Sequence, residues 1–314
     1  MDVLSSLLHE VRSEGAMFGR TIVAPPWSIR VADGVPLTLV TLLAGDAWIS
    51  PDDSDPVRVG EGEVAVVAGG VPFTVADEPG STTAPLYAMT APNSCTAADG
   101  TPFDEQLVIG VRTFGRRADD PVALVIGSYQ VRGRVSQRLL GALPRVLVVP
   151  HEGDLCPVLQ LTEAEIARDE PGQQAVLDRL LDLLLLTTLR IWFARPEACA
   201  PGWYQALGDP VIGPALRLMH ADPAAPWTVA ELAARAAVSR ATFARRFTEL
   251  VGESPMAYLT SWRLSLAADL LARTDATVES IAHQVGYASA FALSVAFKRV
   301  HGTRPSDLRR AVPV

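Results

Sequence analysis

Between Trp27 and about Val149 the apolar positions fall in short β-branched runs: Pro36–Leu43, Ala47–Ser50, Val57–Val59, Glu63–Val67, Phe73–Val75, Val122–Ile126 and Val146–Val149. Gly, Pro and Asp turns separate them, and strands at this spacing predict an all-β sandwich or barrel. Ahead of them Val3, Leu4, Leu7, Leu8 and Val11 recur at helical spacing, which predicts a short helix over 2–12. Ser94–Arg117 shows no clear period, and Ala118–Pro121 reads as a turn. After Pro171 and Gly172 the period lengthens to that of a helix. Val176, Leu177, Leu180, Leu181, Leu184, Leu185, Thr188, Leu189 and Trp192 share one broad apolar face. A face so wide is buried either as a core helix on the β-rich part or against a second copy of the chain. Breakers at Ala200-Pro201-Gly202 and Gly208-Asp209-Pro210 end the segment.

The remaining residues repeat one local pattern twice. Thr228 is an N-cap with Glu231 three residues on, the spacing of a capping box, and Val229–Ala236 turns Val229, Leu232 and Ala233 inward. A tight turn at Ala237-Val238 and a cap at Ser239 begin a second helix. There Phe243, Phe247 and Leu250 share a face and Gly252 is the stop. At about 100° per residue, Ala241, Arg245 and Thr248 take the opposite face, with Arg240 at its start and Ala244 beside it. The pattern returns 50 residues on, measured from Ser239 to Ser289. Val278, Ile281, Ala282 and Val285 form the short first helix, and Gly286-Tyr287 the turn. Leu293, Phe297 and Val300 form the inner face of the next helix, and Gly302 its end. Pro255–Arg273 reads as one helix between the two units, with Met256, Leu259, Trp262, Leu266 and Leu270 inward.

Two short helices around a small-residue turn, the second projecting arginine away from its core, is the helix-turn-helix pattern. Two such units on one linker helix predict a binder of duplex DNA, with its recognition helices in successive major grooves about 34 Å apart. The expected contact positions are Ser239, Arg240, Ala241, Ala244, Arg245 and Thr248 in the first unit. In the second they are Ser289, Phe291, Ser294, Val295, Lys298 and Arg299. Arg245 has the chemistry to grip guanine through two hydrogen bonds, whereas Phe291 and Val295 can meet only thymine methyl groups. The second unit is therefore expected to position rather than to read, with Lys298 and Arg299 on phosphates.

A net charge of -8 over 314 residues argues against DNA until it is divided along the chain. Residues 209–314 hold 12 basic and 9 acidic side chains, and the first 208 hold 15 and 26. An acidic sensor joined to a mildly basic nucleic-acid domain accounts for the asymmetry. Lys298 is the sole lysine, a bias that a GC-rich genome produces by itself. Three cysteines, Cys95, Cys156 and Cys199, without a CxxC pair, point to a reducing compartment. The first residues lack the basic start and cleavage site of a signal peptide, and Leu180–Phe193 is too short and too charged to span a bilayer. A soluble, cytoplasmic chain is expected, with no membrane partner.

The stretches VSRATFARRFTELVGESPMAYLTSWRL (238–264) and IAHQVGYASAFALSVAFKRVHGTRPSDLRR (281–310) resemble the DNA-binding domain of the AraC/XylS family. The pairs Gly252/Pro255 and Gly302/Pro305, Trp262-Arg263 and Gly286-Tyr287 carry the match. The resemblance implies that the second helix of each unit enters the major groove. Phe291 and Val295 depart from the family, which there places polar side chains and an arginine. Residues 2–170 resemble the cupin-type sensor of AraC relatives in Ala24-Pro25-Pro26-Trp27, Leu43–Trp48, Val59–Glu63 and Leu143-Pro144. That resemblance implies a small effector-binding β-barrel followed by a helical pair that dimerises. The expected organisation is a cupin-like domain over 1–170, a helical dimerisation segment over 171–208 and a double helix-turn-helix domain over 209–314.

The rival class is an enzyme, because catalytic cupins hold a metal with His and Glu. Only His9 and His151 occur in the first 208 residues, and neither has a partner at metal-binding spacing. Phe73 also stands where relatives carry a histidine. No catalytic residue, metal or cofactor is expected. A second alternative is redox sensing through Cys156 near His151, against which Ser128 replaces a cysteine found in relatives. The expected effector is a mostly apolar or aromatic small molecule against Trp27, Trp48 and Phe73 inside the barrel. The further partners expected are a second copy of the chain through Val176–Trp192 and, if the protein activates, RNA polymerase.

Overall fold

The computed structural model describes residues 11–12, 19–91, 94–97, 99–131, 135, 140–151, 153, 155–195, 198 and 200–311. The chain divides into two compact units, one of Val11–Val131 with Leu143–Ala198 and one built on the residues after Cys199, which also takes in Val135.

Fourteen strands make up the first unit among the described residues. They are β1 (Val11–Arg12), β2 (Gly19–Val23), β3 (Ser28–Val31), β4 (Leu37–Ala44), β5 (Ala47–Pro51), β6 (Val57–Val59) and β7 (Val64–Ala68). These are followed by β8 (Phe73–Ala76), β9 (Ala88–Ala91), β10 (Ser94–Thr96), β11 (Val108–Gly110), β12 (Thr113–Gly115), β13 (Val122–Val131) and β14 (Val146–Val149). One sheet runs β11-β12-β2-β13-β4-β7-β14 with β1 added on β13, and the other runs β10-β9-β3-β8-β5-β6. They share a core of Ile29, Val31, Val40, Leu42, Ile49, Phe73, Val75, Leu124 and Ile126, giving a cupin-like jelly-roll sandwich. The helix expected over 2–12 is not what its last two residues form. Val11 and Arg12 pair with Val131 and Gln130 as strand β1, and 2–10 lie outside the described residues. The apolar spacing of so short a stretch suits either period, and strand pairing decided it.

Helices α1 (Leu155–Ile166) and α2 (Gln173–Phe193) follow and pack on each other. They cover the face of the larger sheet turned away from the shared core. The Tyr129 hydroxyl donates 2.7 Å to the Leu181 carbonyl, and Arg112 Nε donates 2.9 Å to Gln173. Burial on both sides explains why β4 reads LTLVTLLA rather than as an alternation. It also accounts for the broad apolar face of α2. Leu177, Leu181, Leu184, Leu185 and Leu189 are buried inside their own unit, with Leu184 at 0% and Leu185 at 2% exposure. The outward strip that remains on α2 is Val176 and Leu183, both exposed, with Leu180, Leu186, Ile191 and Trp192 half-buried.

In the second unit α3 (Ile212–Ala221) precedes α4 (Val229–Arg235), α5 (Arg240–Val251) and the long α6 (Pro255–Arg273). After it come α7 (Val278–Gln284), α8 (Ala290–His301) and α9 (Pro305–Ala311). α6 serves two cores. Tyr258 and Leu259 join Leu232, Phe243 and Phe247, while Leu264, Ala267, Ala268 and Leu271 join Ile281, Leu293 and Phe297. Leu266 and Leu270, expected inward, are half-buried and pack against the second of these cores, while Leu264, Ala267, Ala268 and Leu271 are buried more deeply because the helix is held on two sides. Its Asp269, itself buried, accepts a 3.2 Å bond from the backbone N–H of Val135.

Candidate nucleic-acid interface

Each recognition helix is built by the same three devices. The Ser239 hydroxyl accepts from the N–H of Thr242 at 3.1 Å, and Ser289 from that of Ala292 at 3.2 Å, satisfying first-turn donors. Phe243 and Phe247, like Leu293 and Phe297, are fully buried and fix the rotation of the helix about its axis. Gly252 and Gly302 end the helices with φ of 88° and 73°, a left-handed cap that glycine adopts without strain. The turn before each helix also repeats. Val238 N–H bonds Ala233 O at 3.1 Å, and Tyr287 N–H bonds Ala282 O at 2.8 Å. The residue at each turn is left-handed, Gly286 at φ 82° and, against preference, Ala237 at φ 53°.

This framework places Arg240, Ala241, Arg245 and Thr248 on the exposed side of α5, and Phe291, Val295, Lys298 and Arg299 on the exposed side of α8. Ala244 and Ser294 are half-buried between the exposed and buried rows. Ser239 and Ser289 are occupied as caps. Arg245 pairs with Glu249 at 3.1 Å, and the Thr248 hydroxyl turns back to Ala244 O at 2.9 Å. The capping box at Thr228 forms by half: its hydroxyl accepts from Glu231 N–H at 3.1 Å, while the Glu231 carboxylate faces Arg235 at 3.4 Å.

Three positioning contacts join segments that the sequence pattern does not connect. Arg246 makes a two-toothed bond to Asp209, with Nη2 at 2.6 Å, and Asp209 also accepts from the N–H groups of Val211 and Ile212. Burial pushes the Asp209 carboxyl up, but the Arg246 bond and those two N–H groups outweigh it and hold the group below the usual carboxylate range. Arg263 donates from Nε to Pro223 O at 2.6 Å and from Nη2 to Ala225 O at 2.7 Å. Glu279 accepts from Ala290 N–H at 2.7 Å, capping α8 from outside the helix. Pairs so distant in sequence leave no local signal.

The sensor positions divide. Trp27 and Phe73 are buried in the core between the sheets. Trp48 is not inside. In β5 Ala47, Ile49 and Pro51 are buried, and the two-residue period turns Trp48 to the outer side. The aromatic interior that the sequence did not reveal is Tyr87, Phe103 and Phe114, with ring centroids 5.5 to 6.5 Å apart around a residual cavity of about 10 Å³ beside Cys95. Burial pushes the Cys95 thiol up to about 11, which keeps it protonated. A separate open cleft of about 940 Å³ lies over Pro25, Pro26, Trp27, Leu107 and Arg116. Cys156 is half-buried in the first turn of α1, and His151 lies over Gly62, where a Cβ would come within 1.8 Å of its Nδ1. Among the described residues no group of three or more His, Cys, Asp or Glu could hold a metal ion, and no helix is long and apolar enough to cross a membrane.

A cupin-like sandwich with its helical pair, followed by two helix-turn-helix units on one linker helix, defines a DNA-binding transcription regulator with an N-terminal cupin-like domain. A cupin family model matches residues 2–194, and a model described as a helix-turn-helix domain matches 232–311. A putative AraC-like transcription regulator of Streptomyces lividans is 33% identical over 99% of this chain and 98% of its own. The transcriptional regulator AlkR of Acinetobacter baylyi is 27% identical over 99% of both. The DNA-binding domain of AdpA, solved in complex with a target DNA, is 35% identical over 33% of this chain and 93% of that one, with a TM-score of 0.32. This chain belongs to the AraC-like transcription regulators.

Proposed function

We propose that the protein acts in the cytoplasm on promoter DNA, with α5 and α8 in successive major grooves and with occupancy controlled by a small organic effector bound in the cupin-like domain. The observation that supports it best is the repeat of cap, buried aromatic pair or its Leu-Phe equivalent, and left-handed glycine at a separation of 50 residues, on one continuous α6. Two arginine- or lysine-bearing helices fixed on one bar suit a duplex far better than a catalytic centre does, and its full-length relatives are transcription regulators. The contact residues are those exposed on α5 and α8. The effector meets the cleft beside Trp27, where Pro25, Pro26, Trp27 and Leu107 take an apolar or aromatic body and Asp104, Arg116 and Arg117 its polar groups. The protein works without a metal or cofactor as a homodimer, joined through the outward strip of α2, and where it activates it contacts RNA polymerase.

The test is binding of the full chain to fluorescent duplexes from its own upstream region across a salt series. The expected result is specific binding whose affinity falls steeply with salt as counterions are released. Equal weak binding to every duplex would overturn the reading.

A further inference from the structure

On the outward face of α8, Phe291 is 78% exposed and Val295 is 56% exposed. They stand 50 positions after Ala241 and Arg245, on a helix set by the same cap, two matching buried positions and the same terminal glycine as α5, although Val300, expected on the inner face, is 49% exposed. Ser294 and Lys298 lie on that same face, so the apolar pair is continuous with the surface that the proposed function presents to DNA. Against the expectation that the second unit only positions, we infer that α8 reads thymine. Phe291 and Val295 close over the 5-methyl groups of two thymines in an A·T-rich half-site, while α5 reads polar base edges.

This assignment rests on the DNA-binding reading above, and chemistry favours it first. The thymine methyl is the one apolar group on the major-groove edge, and phenyl and aliphatic side chains pack against it. A cytosine in its place lacks the methyl, so the pair favours A·T through that contact. Dimensions agree with the chemistry. Four helical residues rise about 6 Å, close to two base-pair steps of about 3.4 Å. The turn that carries Phe291 points the same way. The Ala290 N–H is bonded to Glu279 at 2.7 Å and that of Ala292 to Ser289 at 3.2 Å, so neither is open to a phosphate. The cations of α8 are instead in its last turn, at Lys298 and Arg299. Phosphate anchoring and base contact thus fall at opposite ends of one helix.

The experiment uses the full chain and an operator obtained by in vitro selection. Each thymine of the α8 half-site is replaced by deoxyuridine, which removes only the methyl group, and affinity is read by fluorescence anisotropy. Wild type should lose about four-fold at each of two positions, the equivalent of about 0.8 kcal/mol for one buried methylene-sized group. The doubly truncated Phe291→Ala, Val295→Ala protein should be indifferent to the same replacements, with an unchanged salt slope. Phe291→Leu, which keeps an apolar contact, should retain most of the sensitivity and serves if the double variant folds poorly. An operator bound specifically, yet insensitive to deoxyuridine throughout the α8 half-site, would overturn the thymine assignment and leave the regulator reading standing. Sensitivity that persists unchanged in the double variant would overturn it too, by placing the methyl contacts elsewhere. Loss of all sequence preference would instead overturn the underlying function.

Discussion

Arg245 and Glu249 lie one turn apart on the exposed side of α5, their charged ends 3.1 Å from each other. An exposed pair of this kind holds its members by less than about 1 kcal/mol, so a guanine edge or a phosphate can draw the arginine away. Arg245→Ala should lower discrimination at one or two base pairs by about 1–3 kcal/mol, read by competitive selection from a randomised duplex pool. Glu249→Gln removes a negative charge facing DNA and frees the guanidinium. It should tighten binding several-fold at low salt, an advantage that fades as salt rises. Unchanged base preferences in the alanine variant would place Arg245 outside the groove.

Lys298 sits on the outward side of α8 near its C-terminal end. Its replacement by alanine should weaken binding to specific and non-specific duplexes alike and lower the salt slope by about one ion. Footprints should still cover two successive major grooves. Protection over a single groove would mean that α8 does not insert.

The Asp209 carboxylate, 11% exposed at its side chain, ties α5 to the first turn of α3 through Arg246. Its folded-state pKa is lowered, so its contribution is present above the ordinary aspartate range and is lost as pH falls through the folded value. Asp209→Ala should cost about 1–2 kcal/mol, the upper part of the range for losing a first-turn cap. Asp209→Asn should keep part of that and flatten the acid limb of the stability profile. Thermal melts of the full chain between neutral pH and about pH 3 measure both. An acid limb that the Asp209→Asn exchange leaves unchanged would contradict the pairing.

The two recognition turns predict opposite results for glycine and alanine. Gly286 has φ 82°, and a Cβ there would meet Ala224 O at 2.8 Å and Arg263 Cζ at 2.9 Å. Gly286→Ala should therefore destabilise by more than the left-handed cost of about 1–2 kcal/mol. Ala237 already carries that cost at φ 53°, so Ala237→Gly should stabilise by about 0.5–1 kcal/mol after the added freedom of the unfolded chain. Denaturant melts distinguish the two.

Residues of α2 separate the fold of the sensor unit from the proposed dimer. Leu184→Asp should unfold the sensor unit, because Leu184 is buried in its own unit. Leu183→Arg, at a side chain 44% exposed, should leave the fold intact and yield monomers by sedimentation. A wild type already monomeric at micromolar concentration would end the idea.

The helix-turn-helix half was legible because its signals are local. Caps at Ser239 and Ser289, the 3.6-residue spacing of Phe243 with Phe247 and Leu293 with Phe297, and the glycine stops act within a dozen residues each. Pro255–Arg273 could be bounded for the same reason, since Ser254 and Thr274 flank it. Strand alternation equally determined that Ala47 and Ile49 share a face, and with it that Trp48 takes the other, although an aromatic ring invited the opposite assignment. What the tertiary structure alone decided is which partner each buried face meets. The leucines of α2 look the same in sequence whether they cover a sheet or a second subunit, and the faces of α6 cannot be apportioned until two bundles close on it. Arg246 with Asp209, Arg263 with Pro223 and Ala225, and Tyr87 with Phe103 and Phe114 are likewise partnerships between segments that chain order keeps apart. Periodicity records which residues avoid water; only the packed chain determines what they touch.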